Sequence, residues 1–389
     1  AAGTSPALAP LLVLSALSGL AWLFLGPWRP VARAIALSVL LIVLGMVLAS
    51  LETLRRDGVI LDTAVTTTLR GIVRGKEIDA SGRWRYEVEV LQTEKPVLKR
   101  PPKSVRVIAL GSGPGFELGA AIEGRARLSP PSGPALAGLN DFAFAAYFDE
   151  TGALGFFYGK PEAWAGAPAD HAEPGYGMRF QQWLEGLRGD ISARIRAVLP
   201  GDTGAFAASM VTDDRRAISR ETTEALRLAG LAHIIAISGL NMALAAGLCF
   251  VGLRLGLSLS QEISHRWPVK KVAAAGALVT VTLYYLISGF AVSAERAYIM
   301  MAIMLCAAFF GRPSISLRNV ALSAFVILLL TPSAVTGPGF QMSFAATLAL
   351  VAGYAAWQRR QHKAPWFSGL PALQPIRPVW DFMAGVFMT

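Results

Sequence analysis

His233-Ile-Ile-Ala-Ile-Ser-Gly-Leu-Asn-Met-Ala-Leu-Ala-Ala-Gly247 opens an apolar segment that continues to Leu253, long enough to cross a bilayer. Inside it stand His233, Ser238 and Asn241. Such groups are costly in hydrocarbon unless they are paired or face a wet cavity. Ser238 and Asn241 have the spacing of neighbours on one helix face. Gly239, Ala243 and Gly247 recur every fourth residue, which lets a second helix approach closely. The segment reads as a helix inside a bundle with a polar stripe on part of its surface. Two uses of that stripe stay open: gluing helices together, or lining a path.

Outward from this segment the whole chain shows the same bias. Of its 389 residues 53% are hydrophobic and 16% charged, with a mean hydropathy of +0.47. That is too apolar for an ordinary soluble protein and predicts a polytopic α-helical membrane protein carrying a soluble portion. The net charge of +10 permits a nucleic-acid or anionic-lipid partner, although cytoplasmic loops rich in Lys and Arg produce the same balance. Cys249 and Cys306 both fall in apolar segments, without the spacing of a disulfide framework or a zinc site, so no metal and no cofactor is expected. The chain starts without Met and stops at Thr389 inside a new apolar run, so it reads as a piece of a longer protein.

Residues 7–25 and 34–50 are apolar runs joined by Pro27-Trp-Arg-Pro-Val-Ala-Arg33, which predicts a membrane hairpin over residues 1–50 with its turn in the cytoplasm. A cleavable signal would carry its basic residues before the first run, and here they follow it. Residues 51–175 change character. Val65-Thr-Thr-Thr-Leu-Arg-Gly-Ile-Val73, Trp84-Arg-Tyr-Glu-Val-Glu-Val90, Val105-Arg-Val-Ile-Ala-Leu110, Ile122-Glu-Gly-Arg-Ala-Arg-Leu128 and Leu154-Gly-Phe-Phe-Tyr158 read as strands. Turn clusters separate them, among them Gly111-Ser-Gly-Pro-Gly115, which lacks the spacing of a phosphate loop. Short strands at this density predict a small β-barrel with an OB-like fold. Residues 176–232 read as surface helices. Phe180, Trp183, Leu184, Leu187, Ile191, Ile195 and Val198 make an amphipathic helix suited to a membrane surface or to covering a core, and a polar helix follows from Glu221 to Leu228.

Residues 233–389 supply further spans at 233–253, 272–292, 297–310, 319–331 and 341–357, with another starting near Val379. Arg254, Arg266, Lys270 and Lys271 lie in one loop, Arg312 and Arg318 in another, and Arg359, Arg360 and Lys363 follow the last complete span. The intervening turns hold no Lys or Arg. This alternation places residues 51–232 outside the cytoplasm.

Three blocks carry a resemblance: Leu226-Arg-Leu-Ala-Gly-Leu-Ala-His-Ile-Ile-Ala-Ile-Ser-Gly-Leu-Asn241, Glu295-Arg-Ala-Tyr-Ile-Met-Met301, and Thr331-Pro-Ser-Ala-Val-Thr-Gly-Pro-Gly-Phe-Gln-Met-Ser-Phe-Ala-Ala346. In this order they resemble the competence membrane domain of the ComEC/Rec2 family. Residues 51–160 are similar to that family's extracytoplasmic OB-like domain, including Pro130-Pro-Ser-Gly-Pro134 and Gly138-Leu-Asn-Asp-Phe142. The resemblance implies an inner-membrane channel that takes transforming single-stranded DNA into the cytoplasm. It further implies contact with membrane lipids, a DNA-receptor protein outside, a DNA-translocating ATPase inside, and a homo-oligomer. Family members carry a second histidine where this chain has Asn241, which argues against metal binding or proton relay there. The family's metallo-β-lactamase-like domain would show an HxHxDH cluster, and this chain has four scattered histidines. No nuclease is assigned to it.

The candidate residues fall into three groups. His233, Ser238, Asn241, Arg296, Gln341 and Ser343 are candidates for the bundle interior or the DNA path. Arg83, Trp84, Arg85 and Tyr86 are candidates for DNA binding on the OB-like barrel, with the two aromatics on one face of the strand and the arginines on the other. Gly239, Ala243 and Gly247 are expected to pack helices. Each has a plainer alternative: barrel core for the aromatics, an interfacial arginine for Arg296, a helix cap for Gln341 and Ser343. No catalytic residue is assigned, because Ala236-Ile-Ser-Gly-Leu240 is not a GxSxG elbow and no carboxylate of the bundle is placed to orient His233. A small-solute permease is the alternative function, and it leaves the strand-rich domain idle.

Overall fold

The computed structural model describes residues 8–24, 29–56, 58–78, 83–109, 115–134, 136, 141–166, 175–215, 217–231, 234–235 and 237–363. The chain forms two compact units, Ala1–Ile235 and Ala236–Thr389. His233, most of the glycine loop at 111–115, residues 138–140 and the apolar run from Val379 lie outside the described residues.

In the first unit, helices α1 (Leu8–Phe24) and α2 (Pro30–Arg55) pack on one another through Leu11, Val43 and Val47. Pro30 starts α2 where a missing N–H costs nothing. The strands follow: β1 (Val65–Ile78), β2 (Trp84–Glu94), β3 (Ser104–Ala109), β4 (Ala121–Ser129), β5 (Thr151–Phe157) and the short β6 (Glu162–Ala163). Their order is β1-β2-β3-β5-β4-β6, and β1 also pairs with β4, so the first five strands close a barrel. The β3–β5 pairing is parallel and the other pairings are antiparallel. This is the OB-like closure that the alternating strands predict.

Barrel closure depends on β1, which pairs with β2 on one side and β4 on the other. Its register with β2 shifts at Arg70/Gly71 and at Val73/Gly75, and these irregularities bend it. A Cβ at Gly71 would stand 2.1 Å from the Glu89 carbonyl oxygen, so only glycine fits. Leu69, Val73, Tyr86, Val88, Val105, Val107, Ile122, Leu128 and Phe157 alternate inward and fill the core. Outside, Arg70 bridges Glu94 on β2 and Glu123 on β4 and ties the seam.

Helix α3 (Phe142–Phe148) stands between β4 and β5 and was not foreseen from the strand pattern. Asp141 caps it, accepting from the Phe144 N–H at 3.0 Å. Helix α4 (Tyr176–Val198) is the amphipathic helix, and its inward face holds the barrel and α5 (Gly201–Thr212). The Gln182 amide donates to the Leu118 carbonyl at 2.6 Å, and Arg188 donates to the Thr212 carbonyl at 2.8 Å. Tyr176, Phe180 and Trp183 stay exposed on its other face. Helix α6 (Arg220–Leu228) is capped by Ser219, which Asp202 of α5 holds through its backbone N–H and its hydroxyl.

The second unit is helical: α7 (Gly239–Ser258), α8 (Gln261–Arg266), α9 (Val269–Ile287), α10 (Val292–Phe309), α11 (Leu317–Leu330), a 3-10 turn at Pro332–Thr336, and α12 (Pro338–Lys363). Across the described residues, α2, α7, α9, α10 and the stretch Pro338–Trp357 are long and apolar enough to cross a membrane. The protein is therefore a multi-pass membrane protein. Helix α10 starts at Val292 rather than 297, which gives it the 18 residues a crossing needs. Helix α11 has 14 residues, about 21 Å of rise. It falls short of a bilayer core of about 30 Å.

Candidate functional site at the helix N-termini of the bundle

The decisive stretch is not helical throughout. Helix α7 begins at Gly239, and Ser238 is its N-cap, with extended backbone and a hydroxyl that accepts from the Asn241 N–H at 3.4 Å. The shared helix face expected of Ser238 and Asn241 is therefore replaced by a cap. The first N–H groups of a helix have no carbonyl partner, and a serine hydroxyl satisfies one of them. Ser316-Leu-Arg-Asn319 repeats the device at the start of α11. Asn241 is half-buried, and the inward face of α7 is carried by Met242 and Ala246. Of the expected packing residues, Gly239 meets Ala297 of α10 at 3.7 Å from a built Cβ, whereas a Cβ at Gly247 meets nothing within 4 Å. Gly247 is exposed, so it does not serve packing among the described residues.

Three distant pieces of sequence converge on the first turns of α10. Ser293 donates its hydroxyl to the Ile237 carbonyl at 3.3 Å, and Ala297 lies against Gly239. Less than one turn along, Arg296 reaches the start of α12, where a Cβ on Gly339 would be 3.1 Å and 3.3 Å from its two terminal nitrogens. The helix N-termini of α7, α10 and α12 are thereby brought to one end of the unit. Each is the positive end of a helix dipole. Close to them Tyr285 stacks on Tyr298 with ring centroids 4.8 Å apart, and Phe290 meets Tyr285 edge-on at 5.3 Å.

Arg296 lines a cavity of about 250 Å³ with Glu295, Val292, Ile327, Thr331 and Phe340. Its Nε is buried and has no hydrogen-bond partner. A guanidinium and a helix N-terminus each favour an anion, and here the two lie side by side. Glu295 brings an acidic side chain to the same wall. Gln341 faces elsewhere, donating to the Val335 carbonyl at 3.0 Å and clasping the 3-10 turn onto α12. Ser343 is half-buried one turn into α12, and its carbonyl accepts from the Thr347 hydroxyl at 2.8 Å. Among the described residues no group of three or more His, Cys, Asp or Glu side chains is placed to hold a metal ion.

On the barrel, Tyr86 is only 2% exposed, and its hydroxyl accepts from the Phe116 N–H at 3.1 Å. Burial pushes its phenol above the ordinary value. It is core, and its ring is closed to a nucleic-acid base. Trp84 stacks on it at 6.1 Å and is half-buried, while Arg85 is exposed. Arg83 is half-buried beside them. The outer face of β4 and β5 brings exposed arginines and aromatic rings together. Arg127 pairs across the strands with Phe156, and Arg125 lies over the Tyr158 ring at 5.8 Å. Phe156 and Tyr158 are 40% and 50% exposed and meet edge-on at 5.4 Å. The side chains of Thr66 and Arg127 beside its hydroxyl hold the Tyr158 phenol below its ordinary value. The signal was present in the alternation of Arg125-Ala-Arg127 and in Phe156-Phe-Tyr158, but only the β4–β5 pairing puts the two on one face.

Residues 210–388 match the family model described as competence protein. Over this part the chain is similar to the ComEC/Rec2 family. It is 28% identical over 181 residues to ComE operon protein 3 of Bacillus subtilis (strain 168), an alignment covering 46% of this chain and 22% of that protein. The chain thus matches about a fifth of its relative's length. No solved structure matches it. All three converging blocks around Arg296 lie within the family match.

Proposed function

We propose that this chain forms the passage by which transforming single-stranded DNA crosses the cytoplasmic membrane during natural competence. The observation that carries this reading is Arg296, whose guanidinium, its Nε buried, meets Gly339 where the N-termini of α7, α10 and α12 come together. A DNA backbone is a polyanion that hydrocarbon excludes, so it needs fixed positive charge inside the bundle. The surrounding turns hold no Lys or Arg from Ser288 to Ala294 or from Thr331 to Gly339, which leaves Arg296 and the helix termini to supply that charge.

Residues 51–232 lie outside the cytoplasm in this reading, and the N-termini of α7, α10 and α12 open toward the same side. The barrel offers Arg125 and Arg127 of β4 beside Phe156 and Tyr158 at the end of β5, a mix of cations and exposed rings that holds bases by stacking and phosphates by charge. A receptor protein delivers the DNA outside and an ATPase draws it inside. A small-solute permease would need the bundle alone and gives this barrel surface no task.

The test separates binding from internalisation. Cells carrying Arg296→Gln are given labelled DNA, and surface-bound and nuclease-protected label are counted separately. Protected DNA should fall at least tenfold with bound DNA unchanged, the loss expected when a charge-assisted hydrogen bond worth about 1.5–3 kcal/mol is removed. Wild-type internalisation by a variant inserted at normal level would reject the passage.

A further inference from the structure

The short helix α3 stands where a transmembrane helix ends. The apolar run of α2 closes at Leu51, and Glu52, Arg55 and Arg56 follow it. The Tyr147 hydroxyl of α3 donates to the Thr53 and Arg56 carbonyls, at 3.4 Å and 3.3 Å. These carbonyls lie two to five residues past the apolar run, at most about 8 Å at helical rise, which is headgroup depth.

The junction is fastened at several points besides Tyr147. Glu150 pairs with Arg56 at 3.6 Å and with Lys103 at 2.6 Å. The Leu61 N–H donates to the Gly152 carbonyl at 2.9 Å, so the linker runs along the start of β5. The barrel is therefore held onto the end of α2 and does not swing on a free linker.

Helix α3 reads Phe142-Ala-Phe-Ala-Ala-Tyr-Phe148 and has no charged residue. Its Ala143, Ala146, Tyr147 and Phe148 are half-buried, while Phe142 and Phe144 are 60% and 43% exposed. Leu54 at the end of α2 is 60% exposed as well. Phe142 and Phe144 lie five and three residues from Tyr147, within about 8 Å along the helix.

We propose that Phe142 and Phe144 are a lipid-interface anchor, seated at the level of the headgroups and the first acyl carbons beside α2. The occupant is the bilayer because the surface is continuous with a membrane-spanning helix at the depth where aromatic side chains gather. Helix α3 itself carries no charge that would pair with a protein partner. Insertion of the two rings fixes the height and tilt of the barrel above the membrane, since Tyr147 and Glu150 make α2, α3 and β5 one piece.

The full chain, with Cys249→Ala and Cys306→Ala, is reconstituted into vesicles of phosphatidylethanolamine and phosphatidylglycerol. Nitroxide labels are placed singly through Phe142→Cys, Phe144→Cys and, as a reference on the exposed barrel surface, Lys99→Cys. Collisions with oxygen and with a water-soluble nickel chelate are measured by power saturation. The oxygen-to-nickel ratio at 142 and at 144 should exceed that at 99 severalfold. High accessibility to both reagents would put the rings in water and overturn the proposal. Low accessibility to both would mean that protein covers them, a second copy or the rest of the chain, and would overturn it equally. The two labels are read independently, so one ill-folded variant does not decide the result. None of these readouts depends on DNA transport.

Discussion

Gly339→Ala tests the Arg296 pocket without removing its charge. The added Cβ would lie 3.1 Å, 3.3 Å and 3.4 Å from the two terminal nitrogens and Cζ of Arg296. Comfortable contact begins near 3.5–4.0 Å, so the guanidinium must withdraw by about 0.5 Å. The withdrawal breaks no hydrogen bond at Nε, which has no partner. Alanine is also favoured over glycine in a helix by up to about 1 kcal/mol. Folding should therefore change by less than about 1 kcal/mol. The cost falls on whatever the guanidinium holds. If the retreat forfeits about half of a charge-assisted bond worth about 1.5–3 kcal/mol, internalisation drops roughly threefold to tenfold. The assay is nuclease-protected labelled DNA per membrane-inserted protein, with insertion checked by immunoblot and bound DNA counted separately. Wild-type protection in Gly339→Ala at normal insertion would refute the idea that the position of Arg296 matters. A loss that tracks lower insertion would mean that the alanine disturbs packing instead.

Other expectations follow from the same geometry. Phe156→Ala and Tyr158→Ala should each weaken single-stranded DNA binding by about 1–3 kcal/mol, measured by fluorescence anisotropy at low salt, and Arg127→Ala should flatten the salt dependence. Tyr86→Phe should leave DNA binding alone but destabilise the barrel by about 1–3 kcal/mol in urea titration, because the Phe116 N–H loses its acceptor. The Glu150 carboxyl is held below its ordinary value, chiefly by the hydrogen bond from Lys103. A lowered folded value stabilises above the unfolded value and is lost as pH falls through the folded one. Wild type should thus outlast Glu150→Gln in thermal unfolding at neutral pH, and the gap should close only in acid, below the usual carboxylate range.

Much was legible in the order of the residues. Burying a closed barrel core requires inward residues on alternate positions, so Val105-Arg-Val107 and Ile122 to Leu128 announce strands by themselves. The bilayer's thickness likewise writes its length into α2, α7 and α9. The block that decides the fold class, His233 to Gly247, says membrane bundle through composition alone. Helix starts were harder, because a cap is decided by which N–H lacks a partner. Ser238 was expected on a face and is a cap. Tyr86 and Trp84 share one face of β2, and only the closed barrel shows Tyr86 fully in the core with Trp84 half-buried against it.

What the tertiary structure alone decided is which residues meet. No spacing rule joins Ile237, Arg296 and Gly339, which lie far apart in the chain and come together because α10 packs on both α7 and α11. Nor does any rule bring Tyr147 to the end of α2, or Arg127 beside Phe156. Local sequence sets period, length and composition, because those depend on near neighbours and on the solvent. Contacts between distant segments depend on how whole helices and strands pack, and a charge acquires its chemistry only from what that packing places beside it.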